Sequence, residues 1–89
     1  MEKHVILAEV RRCNESLLHE LSSLNYVDKV KSLQQENNWA LKIYIKSLDD
    51  KREEVSRFLI EQGSGLLEFN QERLDLEKIF IEVTKDDDK

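Results

Sequence analysis

His4, Cys13 and His19 are the soft side chains of this chain, and the chemistry they suggest is a metal site or a thiol nucleophile. Their spacings of nine and six residues match no zinc pattern, and a structural zinc wants four ligands. Nothing in the sequence sets a histidine beside Cys13, and a free cysteine more often behaves as a small buried hydrophobe. The paired carboxylates Asp49-Asp50 and Glu53-Glu54 could in principle do acid–base work. They fall where a helix begins, and acidic residues are favourable there because they meet the positive end of the helix dipole. Neither G-x-x-x-x-G-K-[ST] nor G-x-G-x-x-G occurs, so phosphates are not cradled in either of those ways. Arg11 and Arg12 precede the first expected helix and form a candidate anion site, with a solvated loop as the plain alternative.

The elements that would position these residues follow from the apolar pattern. Lys3 to Val10 reads as a strand, because Val5, Ile6, Leu7, Ala8 and Val10 form a short run rich in β-branched residues. Asn14 is a natural N-cap for a helix over 15–24, on which Leu17, Leu18, Leu21 and Leu24 share a stripe. Tyr26 to Gln35 fits neither period and is expected to be an irregular strand. Glu36-Asn37-Asn38 is a turn, since asparagine tolerates the left-handed region. Trp39, Leu41, Ile43 and Ile45 then alternate with Ala40, Lys42, Tyr44 and Lys46, which makes a strand with one face in the core.

Asp50 and Glu53 have capping-box spacing for a second helix over about 51–62, which Gly63 ends. Leu66, Leu67 and Phe69 supply a last strand. Asp75 caps a third helix on which Leu76, Phe80 and Val83 share a face. The order βαββαβ predicts an α+β, ferredoxin-like fold: a four-stranded antiparallel sheet with two helices on one face, plus the extra C-terminal helix. Its open face would carry Lys42, Tyr44 and Lys46, with Lys29 or Lys31 from the neighbouring strand. One aromatic among lysines is a weak platform for stacking RNA bases.

Size and charge narrow the classes further. An 89-residue chain makes one domain with one modest core. The expected domain spans residues 1–85, followed by an acidic disordered tail over 86–89. The 14 basic side chains against 19 acidic ones give a net charge of −5, which disfavours duplex nucleic acid and anionic membrane surfaces as partners. A single cysteine allows no internal disulfide and suits a reducing compartment. No run approaches the roughly 20 apolar residues that span a bilayer, so no membrane insertion is expected, and no N-terminal signal peptide is visible.

The run Leu74-Asp75-Leu76-Glu77-Lys78-Ile79-Phe80-Ile81-Glu82-Val83-Thr84 resembles the closing motif of bacterial ABC transporter ATP-binding subunits, roughly S-L-E-x-I/V-F-x-x-L-T. Leu76, Glu77, Ile79, Phe80 and Thr84 match it, Asp75 keeps a capping residue in place of serine, and Val83 keeps an apolar one in place of leucine. The upstream part is similar in pattern to the small domain that follows the ATPase domain in that family.

The resemblance implies a non-catalytic accessory domain, with ATP and magnesium bound in the ATPase domain of a parent chain and no cofactor here. It implies that ATPase domain as partner, with a second copy of this domain as a further candidate and the membrane permease only indirectly. It also implies a cytoplasmic place, peripheral to the inner membrane. Leu76, Ile79, Phe80, Ile81 and Thr84 become the candidate contact residues. A helix packed through Leu76, Phe80 and Val83 on the sheet or on the second helix would leave Ile79 and especially Ile81 for such contacts. The competing expectation is an ACT-like module for a small regulatory ligand. That module usually has a glycine-bearing loop after the first strand, and Arg11-Arg12-Cys13-Asn14 has none.

Overall fold

Residues 4–72 are described by the computed structural model of the protein. They form β1 (His4–Val10), α1 (Glu15–Ser22), β2 (Val27–Gln34), β3 (Trp39–Ile45), α2 (Arg52–Glu61) and β4 (Leu66–Glu72). The expected third helix, the terminal motif and the acidic tail lie outside the described residues. All strand pairings are antiparallel, in the order β2-β3-β1-β4. This is the α+β, ferredoxin-like arrangement that the order of elements predicts.

The period-2 alternation of β1 and β3 sorts their residues into two layers. Ile6, Ala8 and Val10 of β1 and Leu41, Ile43 and Ile45 of β3 are buried together with Leu17 and Leu21 of α1 and Val55 and Leu59 of α2. Both helices therefore close the same face of the sheet. Trp39 packs at the margin of this core, as its parity requires.

The two strands of less regular pattern each contain a bulge. The register of β2 against β3 shifts between Val27 and Lys29, so Val27 sits opposite Ile45 and Val30 opposite Ile43. One extra residue brings two valines three positions apart onto the same side, which is why that stretch matches neither period. In β4, Leu66 faces Val10 and Phe69 faces Ala8, with a matching shift in β1 between Glu9 and Val10.

Asn14 caps α1 as expected: its Oδ1 accepts from the Leu17 N–H at 2.8 Å. The helix ends at Ser22 rather than Leu24. The Leu24 N–H bonds to the Leu21 carbonyl three residues back, at 3.2 Å, and Ser23 Oγ donates to the His19 carbonyl at 2.7 Å. Those bonds tighten and close the last turn.

The capping box expected for α2 does not form. Its N-cap is Lys51, with no side-chain cap bond, and Glu53 pairs with Arg57 at 2.6 Å instead of reaching back. The C-terminus follows the glycine rule closely. Gly63 takes φ +70°, its N–H bonds to the Ile60 carbonyl, and the Ser64 N–H bonds to the Leu59 carbonyl. This double bond is the Schellman closure. The 36–38 turn uses no left-handed asparagine, since no described residue except glycine has positive φ. Instead the Gln35 N–H bonds across to the Asn38 carbonyl at 2.8 Å, and Asn38 Nδ2 donates to Glu9 Oε1 at 3.0 Å.

Leu59 is fully buried where α2 meets the sheet. Leu59→Ala should cost about 2–5 kcal/mol through lost transfer energy and a residual cavity. Urea unfolding followed by circular dichroism checks this, and a loss well below 1 kcal/mol would contradict the packing.

Candidate interaction surface

The side of the sheet opposite the helices is uncovered by any described residue, and its chemistry is divided by strand. On β4 and β1 it carries Glu68 and Glu9, which sit directly opposite each other, and Glu72 across from Val5. On β3 and β2 it carries Lys42 opposite Lys31, and Lys29 opposite Tyr44. Leu7 on β1, Ala40 on β3 and Leu33 on β2 line a shallow groove of about 440 Å³ that crosses from the acidic strands to the basic ones. Leu7 and Leu33 are 39% and 64% exposed, so the groove holds apolar surface that no described residue buries.

Tyr44 is the centre of the basic half. The ammonium groups of Lys29, Lys31 and Lys42 stand 4.7, 5.7 and 5.6 Å from its ring centroid. Cations favour the negative face of an aromatic ring, and the lysine stems cover its body. Tyr44 is left only 9% exposed, so the ring that would stack a base is already overlaid. None of the three lysines has an ion-pair partner among the described residues. Three like charges over one ring repel each other, and an anionic group would relieve that repulsion.

The other residues with chemical potential are engaged structurally. Arg12 turns its Nε to the Gly63 carbonyl at 3.1 Å, and the Arg11 and Arg12 backbone N–H groups bond to the Gly65 and Ser64 carbonyls at 2.9 Å. The two arginines thus clamp the loop between α2 and β4. Ser64 is buried in that loop and donates its hydroxyl to the Leu59 carbonyl at 2.7 Å. A polar cleft does open here between Arg12, Asn14, Glu20 and Gln62. Its asparagine is engaged in the helix cap and its arginine in the loop.

Cys13 lies at the end of β1 opposite to His4. Seven residues at roughly 3.3 Å each set those ends about 20 Å apart. Burial pushes the Cys13 thiol up from its ordinary pKa, which keeps it protonated and weakly nucleophilic. His4 Nε2 is 3.2 Å from the Leu48 carbonyl. No metal-ligating cluster of three or more His, Cys, Asp or Glu side chains occurs among the described residues. No described helix is long and apolar enough to cross a membrane.

Of the expected acidic pairs, Asp50 alone has a special setting. Its carboxylate takes the Arg52 guanidinium with both oxygens, the shortest contact being 2.6 Å, and also accepts the Arg52 backbone N–H at 3.0 Å. The side-chain bond from Arg52, then the backbone bond, lower its pKa to about 2. The candidate contact residues Leu76, Ile79, Phe80, Ile81 and Thr84 lie outside the described residues.

Sequence reading anticipated Lys29, Lys31, Lys42 and Tyr44 but not the acidic half or the apolar groove, and Lys46, also expected on this face, follows the end of β3 at Ile45. The parity of β1 already placed Leu7 and Glu9 away from the core. Only the strand order sets Glu68 beside Glu9 and Leu33 across from Ala40. No protein-family model matches this chain, and no curated protein matches it significantly.

Two measurements test this geometry. Gly63 and Gly65 both have positive φ, but a Cβ on Gly63 meets nothing within 4 Å, whereas one on Gly65 would sit 3.0 Å from Arg12 Nη2 and 3.1 Å from Arg11 Cβ. Gly63→Ala should cost about 1 kcal/mol from the backbone alone, and Gly65→Ala measurably more. Equal costs in urea unfolding would contradict the arginine clamp. The Asp50 carboxyl should titrate at about 2 by NMR and return toward the ordinary value near 4 in Arg52→Gln. Because the folded pKa is depressed, its small stabilisation is present above the unfolded pKa and is lost as pH falls from about 4 through about 2.

Proposed function

We propose that this chain is a non-catalytic accessory domain of an ABC transporter ATP-binding subunit, acting through protein–protein contacts. The observation that carries this reading is the run from Leu74 to Thr84, which resembles the closing motif of that family and begins two residues after β4. The geometry supports a contact module in two ways. One is a sheet face divided into acidic and basic strands around a shallow apolar groove, which suits a macromolecular partner better than a small substrate. The other is that, among the described residues, Cys13 and His4 lie at opposite ends of β1 and Arg12 is engaged with the loop before β4.

In this reading the domain steadies or modulates the nucleotide-binding dimer. Ile79, Ile81 and Thr84 meet the ATPase domain of the parent chain or a second copy, and the permease is reached only through that assembly. ATP and magnesium belong to the parent ATPase domain. The domain then works at the cytoplasmic side of the inner membrane as part of the transporter complex.

A Walker A motif is expected upstream of this segment in the natural reading frame. In that full subunit, removing residues 1–89 of the present numbering should lower ATP-bound dimer formation and ATP hydrolysis severalfold. Size-exclusion chromatography and phosphate release read the two effects. A truncated subunit that dimerises and hydrolyses ATP as the full one does would overturn the modulatory role.

A further inference from the structure

We propose that the sheet face opposite the helices pairs with the same face of a second copy of this chain, about a two-fold axis that runs parallel to the strands between β3 and β1. This goes beyond the transporter reading and does not rest on it. The strand registers divide the face into three rows, each crossing β2, β3, β1 and β4 in turn. The first row is Leu33, Ala40, Glu9 and Glu68. The second is Lys31, Lys42, Leu7 and Asn70, and the third is Lys29, Tyr44, Val5 and Glu72.

A two-fold interface uses one patch on both copies, so that patch must complement itself. Charge decides between the two simple axes. An axis parallel to the strands lays β4 of one copy on β2 of the other and β1 on β3, row on row. Each acidic strand then meets a basic one. An axis across the strands lays every strand on itself, which sets Glu68 against Glu72 and lysine against lysine, and such like-charge contacts are costly.

In the favoured pairing, Glu72 of the second copy stands over Lys29, beside Tyr44, and the two-fold makes this contact twice. The three ammonium groups around that ring have no ion-pair partner among the described residues, so an arriving carboxylate relieves their repulsion. Within one copy Lys29 and Glu72 lie on opposite edge strands, three strand spacings or about 14 Å apart, too far to pair. Leu7 of each copy comes over Lys42 of the other, next to Ala40 and Leu33, and so seats in the other's groove. Pairing takes the exposed apolar surface of Leu7 and Leu33 out of water. The face is about 20 Å on a side. That is at the small end of specific interfaces, so the dimer should dissociate on dilution.

The test is sedimentation equilibrium on the full 89-residue chain at low salt, from about 10 µM to about 1 mM. A reversible monomer–dimer equilibrium is expected. Glu72→Lys and Lys29→Glu should each weaken it about tenfold, because each turns two attractive contacts repulsive. The double variant puts opposite charges back across the interface and should return to within about threefold of the original affinity. Isotope-filtered NMR on mixed labelled and unlabelled chains should join the Leu7 methyls to the Ala40 methyl of the other copy. A monomer throughout would overturn the proposal and leave the face to another occupant. A dimer that neither swap weakens, or a double variant no tighter than the single ones, would overturn it as well. Tighter association of Glu72→Lys alone would also do so, by assigning the axis across the strands.

Discussion

Ile6, Ala8 and Val10 run down the middle of the sheet, flanked by β3 on one side and β4 on the other, and both helices close over them. At this chain length only one such layer can be built. The apolar face of every strand and the buried stripe of each helix converge on it, so the register of β1 against both neighbours is tightly constrained. A one-residue slip would send Leu7 and Glu9 into the core and Ile6 and Ala8 into water. The bulges in β2 and β4 show how strong that demand is. Each strand accepts an unpaired residue to keep Val27 and Val30, or Leu66 and Phe69, aligned with the same layer.

Because the core uses only one side of the sheet, the other side is left to charge and to whatever binds there. Its division into an acidic half on β4 and β1 and a basic half on β3 and β2 follows from strand order. Had β4 paired beside β2, the acidic and basic rows would have neutralised each other locally. As built, the face has a dipole across it, and the groove of Leu7, Ala40 and Leu33 crosses from one half to the other. Tyr44 holds the basic half together by drawing three lysine ammonium groups over one ring. The same stacking that organises the lysines closes the ring to planar ligands, which moves the functional interest from base stacking toward anionic side chains on an apolar scaffold.

The loop after β1 shows how a sequence suggestive of ligand binding can serve architecture. Two arginines before a helix have the composition of an anion site. Here their backbone N–H groups and the Arg12 side chain bond to the Gly63–Gly65 loop, joining the end of β1 to the start of β4. Gly65 allows the close approach, and Gly63 provides the left-handed residue that ends α2. Buried Ser64 completes the loop through its bond to Leu59. An ACT-like ligand would need the polar groups of this loop free, and Arg12 and Asn14 are both engaged.

Local pattern was enough wherever the physics is local. The alternation in Trp39–Ile45, the spacing of Leu17 and Leu21, the Asn14 cap and the Gly63 stop were all legible, because each depends on residues within a turn or a strand length of one another. The order of elements then carried the fold class. What the sequence could not decide was which of several nearby partners a charge takes, and which residues far along the chain meet. Asp50 went to Arg52 rather than to a capping box, and Glu53 to Arg57. The irregular spacing in β2 became a bulge only because β3 demanded its register. The acidic half of the uncovered face required Glu9 and Glu68 to meet, although 59 residues separate them in the chain. The sequence by itself determined which residues prefer the core and where the helices are punctuated, since side-chain polarity and backbone preference act locally. Tertiary structure alone decided which charges became neighbours, because strand order is set by the closing of one shared core.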